Sequence, residues 1–174
     1  MNETASRQEH QPLPPKKTRE RYHWKDGQER APRPMDFYLP EVLRQLDLNQ
    51  VVIVQAETGV GKTTRIPQAI LDNDPKARID MTQTKRPPVR MNGGFIAKEM
   101  GSMPGSEVGW RLYPDENVVS MDTRLTLMID QSLTNRIRKE KKLPEGYIII
   151  DEAHERTVQI DILLALIKEY LPNS

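Results

Sequence analysis

Residues 51–64, VVIVQAETGVGKTT, run from four β-branched residues into a glycine-containing turn and on toward a helix. An apolar run without alternation is what a strand buried on both faces requires. Backbone N–H groups of residues 58–63 can converge on an anion only if side chains do not obstruct them. Gly59 and Gly61 meet that condition and tolerate positive φ. Lys62 offers a point charge for phosphate oxygens, Thr63 a hydroxyl for Mg²⁺, and the following helix start a partial positive charge. The candidate phosphate-binding loop is therefore Ala56, Glu57, Thr58, Gly59, Val60, Gly61, Lys62, Thr63 and Thr64. The usual pattern opens with Gly, and Ala56 is small enough to replace it. A turn that binds nothing would not need Gly-Lys-Thr at this phase.

Working outward, residues 147–157 read YIIIDEAHERT. In an open parallel sheet, ligands lie beyond the carboxyl ends of the strands. Asp151 is thereby expected beside the phosphate loop, holding Mg²⁺ through a water. Glu152 can polarise the water that attacks a γ-phosphate. His154 reads either as a histidine satisfied at a helix start or as a metal ligand. A zinc site takes three or four ligands, and the other histidines, His10 and His23, lie far upstream in a polar segment. An acidic run alone would be a solvated helix start. Its place directly after four apolar residues favours chemistry, with Lys62, Asp151, Glu152 and His154 as the catalytic candidates and ATP·Mg²⁺ as the ligand.

The chain of 174 residues is long enough for one domain with a core of its own. Charges nearly balance, 26 Lys+Arg against 25 Asp+Glu, so no bulk basic field drives binding. The absence of cysteine excludes disulfides, thiolate metal sites and cysteine nucleophiles. No apolar run approaches a membrane span, and the first residues lack a secretory h-region, so an intracellular protein without a membrane partner is expected. Residues 1–34 hold five prolines and eight basic against five acidic residues, with Leu13 the only branched aliphatic. That composition predicts a disordered arm over 1–34 and a folded domain over 35–174. Within the arm, RERYHWK (19–25) interleaves basic and aromatic residues that suit unpaired bases or a domain surface.

Periodicity predicts helices over 39–48, from about 61 to 71, 95–101, 130–139 and 158–171. It predicts strands over 51–55, 77–82, 107–113, 124–129 and 147–150. Strands alternating with helices make an α/β fold with a mainly parallel sheet.

Taken together, AETGVGKTT, TQTKR and DEAHERT resemble the DEAH-box ATP-dependent helicases of superfamily 2, most of which act on RNA. The resemblance covers roughly residues 36–173 and implies the first of two RecA-like domains of the P-loop NTPase class. It implies Lys62 and Thr63 as phosphate and Mg²⁺ residues, Asp151 as the metal carboxylate and Glu152 as general base. His154 would couple nucleotide state to a second domain. Thr82, Gln83, Lys85 and Arg86 fall where the family touches the nucleic-acid backbone, and Arg124 and Asp130 near a second such motif. RNA is the implied partner ahead of DNA, with a second RecA-like domain in cis or on another chain. Pro87 and Pro88 replace a helix-favouring stretch and are expected to redirect the loop after TQTKR. The family's Ser-Ala-Thr strand, second domain and arginine fingers would lie beyond Ser174, leaving the sheet short of a strand and open at one edge. The alternative to a helicase module is a fragment that binds nucleotide and nucleic acid without turnover.

Overall fold

The computed structural model describes residues 31–171, together with the backbone of two short strands, β1 (Tyr22–His23) and β2 (Glu29–Arg30), which pair antiparallel. The expected arm over 1–34, with its stacking candidate at 19–25, otherwise lies outside the described residues. Arg33, which composition assigns to that arm, is packed into the domain through Thr64 and Glu99.

Five strands form the main sheet: β3 (Ile79–Gln83), β4 (Val108–Leu112), β5 (Glu116–Val118), β6 (Leu125–Ile129) and β7 (Tyr147–Ile150). Their spatial order is β5-β4-β6-β3-β7. All pairings are parallel except β4 with β5. The helices are α1 (Leu39–Leu48), α2 (Lys62–Asn73), α3 (Arg86–Glu99), α4 (Asp130–Glu140) and α5 (Val158–Tyr170). This is the α/β architecture that the alternation of patterns predicts.

Period-2 alternation sends successive side chains of each strand to opposite faces. Ile79, Met81, Leu125 and Leu127 face one way and pack with Leu71 of α2 and Val89 and Ile96 of α3. Met128 faces the other way, with Leu133 and Ile137 of α4 and Leu163 of α5. Each such fully buried side chain contributes roughly 1.5–3 kcal/mol by transfer from water. Helices therefore cover both faces, and the strand ends are left to carry the site.

Three expectations need correction. The helix expected over 95–101 begins at Arg86, because Pro87 and Pro88 occupy its first turn. A missing N–H there removes no intrahelical bond, so the prolines start the helix rather than redirect a loop. The hairpin strand β5 is too short for a periodic signal and was not expected. Residues 51–55 join no sheet among the described residues, and they alternate between half-buried and exposed. Ile53 is 90 % and Val51 61 % exposed, whereas a strand buried on both faces would hide them. Val54 packs against Met35, Leu39 and Val42. Among the described residues β7 is likewise an edge, bonded to β3 alone, with all four residues half-buried.

Candidate nucleotide site

The phosphate loop takes the backbone its glycines permit. Gly59 and Gly61 have φ of +84° and +101°, a region that favours glycine. Gly61 is the N-cap of α2, and its carbonyl accepts from Thr64 N at 3.2 Å and Arg65 N at 2.8 Å. The helix start thus lies at the loop, where its partial positive charge favours an anion. Lys62 Nζ folds over the loop and donates to the carbonyls of Ala56, at 2.6 Å, and Glu57, at 2.8 Å. Ala56 to Gly59 are exposed, and Val60 to Thr64 are half-buried.

The acidic strand end meets this loop directly. Thr63 Oγ1 donates to Asp151 Oδ2 at 2.7 Å, across 88 positions of sequence. Gln83 Nε2 donates to the same oxygen at 2.7 Å, and Asp151 N donates to Thr82 O at 3.3 Å. Asp151 is thus fixed by the ends of β3 and β7 and by the start of α2. Two hard oxygen donors, Thr63 Oγ1 and Asp151 Oδ2, fit a small divalent cation such as Mg²⁺, which keeps waters and takes few protein ligands. Among the described residues, no group of three or more His, Asp or Glu gathers into a cage of the zinc type.

After Asp151 the chain turns tightly through a 3₁₀ turn, Ala153–Glu155, flanked by Glu152 at φ +53° and Arg156 at φ +48°. Non-glycine residues adopt this region at a cost of order 1 kcal/mol or more, and such strain clusters at functional sites. His154 Nδ1 lies 3.4 Å from Glu152 Oε2, and both side chains are open to solvent. Thr157 ends the turn by capping α5, its hydroxyl accepting from Ile160 N at 3.2 Å.

The six candidates for nucleic-acid contact do not gather on one surface. Thr82 and Gln83 are buried, Gln83 facing the nucleotide site through Asp151 and Thr82 the Asp130 carboxyl. Arg86 donates to the carbonyls of Leu112 and Tyr113 and to Asp115 at 2.6 Å, tying α3 to the β4–β5 hairpin. Arg124 sits at the opposite end of the sheet. Its guanidinium serves the carbonyls of Leu71, Asp74 and Ala77 and pairs with Glu107 at 2.8 Å. Asp130 is buried at the first turn of α4, and Lys85 alone of the six is exposed. Burial pushes the Asp130 carboxyl above the ordinary aspartate range, and the nearby Glu155 carboxylate adds to the rise. The Thr82 hydroxyl beside it opposes that rise, and Asp130 Oδ1 and Thr82 Oγ1 are both buried.

Sequence reading also missed a set of residues around α2. Arg33, Asp36, Arg65, Gln68 and Glu99 form a ring of hydrogen bonds beside the loop. The spacing of Arg65 and Gln68, one turn apart on an otherwise apolar face, was the only local signal.

No family model matches the chain. Among curated proteins it is 37 % identical over 139 residues to the ATP-dependent RNA helicase HrpA of Borreliella burgdorferi, covering 78 % of this chain and 17 % of that protein. It is 36 % identical over 143 residues to the human ATP-dependent RNA helicase TDRD9, covering 79 % of this chain and 10 % of that protein. Among solved structures, the DEAH/RHA helicase HrpB of Escherichia coli superposes with a TM-score of 0.73 at 34 % identity, over 78 % of this chain and 18 % of that one. The chain belongs to the DEAH-box helicase family. Its fold is the family's RecA-like domain, and the family is one of ATP-dependent RNA helicases. The chain spans between about a tenth and a fifth of the length of the curated relatives it matches. No helix among the described residues is long and apolar enough to cross a membrane.

Proposed function

We propose that this DEAH-box domain binds ATP·Mg²⁺ and serves as the nucleotide-holding half of a nucleic-acid-dependent NTPase, coupling hydrolysis to RNA remodelling together with a second RecA-like domain. The observation that carries the reading is the 2.7 Å contact between Thr63 Oγ1 and Asp151 Oδ2. It joins the two halves of the motif pair at one point, with Lys62 folded over the loop a turn away.

Residues 58–63 present N–H groups to phosphate oxygens, and Lys62 exchanges its loop carbonyls for them. Thr63 and Asp151 would hold Mg²⁺, which would offset charge on the phosphates. Gln83 keeps Asp151 oriented. Glu152, aimed by its left-handed backbone, accepts the proton of the attacking water. His154, in reach of Glu152, reports that group's state to whatever closes the site. Of the nucleic-acid candidates, Lys85 remains available for a phosphate contact. Residues 35–174, with Arg33 packed against them, are proposed as the ATP-binding domain.

Lys62→Ala is expected to abolish Mg²⁺-dependent ATP binding in a fluorescence titration. Equal affinity in variant and parent would sink the reading. A second reading, binding without turnover, is favoured by the unpaired residues 51–55 and the open β7 edge. Phosphate release under saturating RNA separates the two, since turnover lost in Glu152→Gln would exclude it.

A further inference from the structure

We propose that Arg33 is a positioning residue for the phosphate loop, holding the turn at Gly61 and Thr64 from outside the motif, so that nucleotide affinity depends on it. The inference rests on the reading of residues 56–64 as the nucleotide site.

Several contacts converge on this side chain. Arg33 Nη1 donates to Thr64 Oγ1 at 2.8 Å, one residue beyond the proposed metal hydroxyl. Its methylenes lie along Gly61, where a Cβ would stand 3.1 Å from Arg33 Cδ. Its guanidinium forms an ion pair with Glu99, which is 1 % exposed, and lies 5.2 Å from the centre of the Phe95 ring. Nearby, Met35 N donates to Val60 O at 3.1 Å, so the segment before α1 grips the loop at two points.

The ring behind Arg33 explains why it cannot swing away. Glu99 also accepts from Gln68 Nε2 at 2.9 Å, and Gln68 Oε1 accepts from Arg65 Nη1 at 2.7 Å. Arg65 Nε pairs with Asp36, whose other oxygen accepts from Arg33 N at 2.7 Å. The path closes on the residue where it began. Two guanidinium groups and two carboxylates cancel, so the ring strands no charge, and buried pairs of this kind contribute more to fixing geometry than to stability. Arginine suits the position because its planar fork serves Thr64 and Glu99 together, whereas a lysine ammonium is a single point charge on a flexible stem.

The test uses the full chain, Mg²⁺ and the fluorescent nucleotide mant-ADP. Arg33→Lys keeps the charge facing Glu99 but loses the fork. It is expected to melt close to the parent and bind mant-ADP about tenfold weaker, the worth of one charge-assisted hydrogen bond. Thr64→Val should weaken the parent several-fold but add little in the Arg33→Lys background, because the contact is already broken. Thr64→Ser, which keeps the hydroxyl, should restore binding. Arg33→Met with Glu99→Gln removes the pair without leaving a buried charge and should bind as weakly as Arg33→Lys. Parental affinity in Arg33→Lys, or an equal Thr64→Val loss in both backgrounds, overturns the proposal. A parent that binds no mant-ADP overturns the site reading itself, and the two failures are distinct.

Discussion

The glycines of the phosphate loop offer a paired measurement of how tightly the loop is held. Gly59 and Gly61 both have positive φ, so alanine at either meets a backbone penalty of about 1–2 kcal/mol. They differ in what surrounds them. A Cβ on Gly59 meets nothing within 4 Å, whereas one on Gly61 would stand 3.1 Å from Arg33 Cδ and 3.2 Å from Arg65 Cγ. Both neighbours belong to the closed ring and cannot retreat cheaply, which adds an overpacking cost of about 1–2 kcal/mol. Gly59→Ala should therefore destabilise by about 1.5 kcal/mol and Gly61→Ala by about 3 kcal/mol. At about 3 °C per kcal/mol for a chain of this size, the Tm falls by about 4–5 °C and about 9 °C respectively. Circular-dichroism melts of the two variants beside the parent give the comparison. Equal losses would refute the reasoning, because they would mean that Arg33 and Arg65 do not confine Gly61. The backbone share alone would then account for both.

Three further outcomes follow from other parts of the fold. Gly146→Ala, at φ +96° with its Cβ 2.2 Å from Arg78 O, should destabilise by about 3 kcal/mol or more in urea melts, since a backbone oxygen cannot yield and Tyr147 N bonds the same atom. A loss below half that would contradict the start of β7. Ile53→Lys should leave the melting temperature within a degree or two, as surface changes stay within about 0.5 kcal/mol, while reducing self-association in light scattering. Unfolding of that variant would show the residue to be buried after all. For Asp130, burial raises the folded carboxyl above its unfolded value, so between the two the folded state holds more proton and stability falls as pH rises. Asp130→Asn removes that slope, and urea midpoints taken upward from about pH 4 should decline less steeply than the parent's. Identical slopes would remove Asp130 as the cause.

The sheet and the loop were legible because their signals are local. Gly59 and Gly61 demanded left-handed backbone and have it, and the apolar run at 147–150 delivers Asp151 to the loop as expected. What was not legible depends on neighbours distant in sequence. Residues 51–55 carry the composition of a buried strand, but pairing is a property of the partner, and none of the described strands lies beside them. Arg124 resembles a surface cation until Leu71, Asp74 and Ala77 turn their carbonyls toward it. Pro87 and Pro88 read as breakers because position within a helix decides their effect, and only the backbone reveals that they occupy the first turn. The ring through Arg33, Glu99 and Asp36 spans separations of up to 66 residues, beyond any periodic reading.

These failures share a physical consequence for the nucleotide site. A phosphate loop is ordinarily steadied by the strand that leads into it, yet residues 51–55 have no ladder here and expose Ile53 and Val51. The loop is held instead by Thr63 to Asp151 on one flank, Arg33 to Thr64 and Glu99 on the other, Lys62 across its mouth, and the bond from Met35 N to Val60 O. Hydrogen bonds of this kind are each worth about 1 kcal/mol net, more where a charge takes part, so losing one flank loosens the loop without unfolding the sheet. Pairing residues 51–55 with a strand would add a further restraint at the loop's entry. Nucleotide affinity and strand pairing are then coupled through the same few residues. Whatever completes the open edge should tighten nucleotide binding, and bound nucleotide should favour that completion to the same degree.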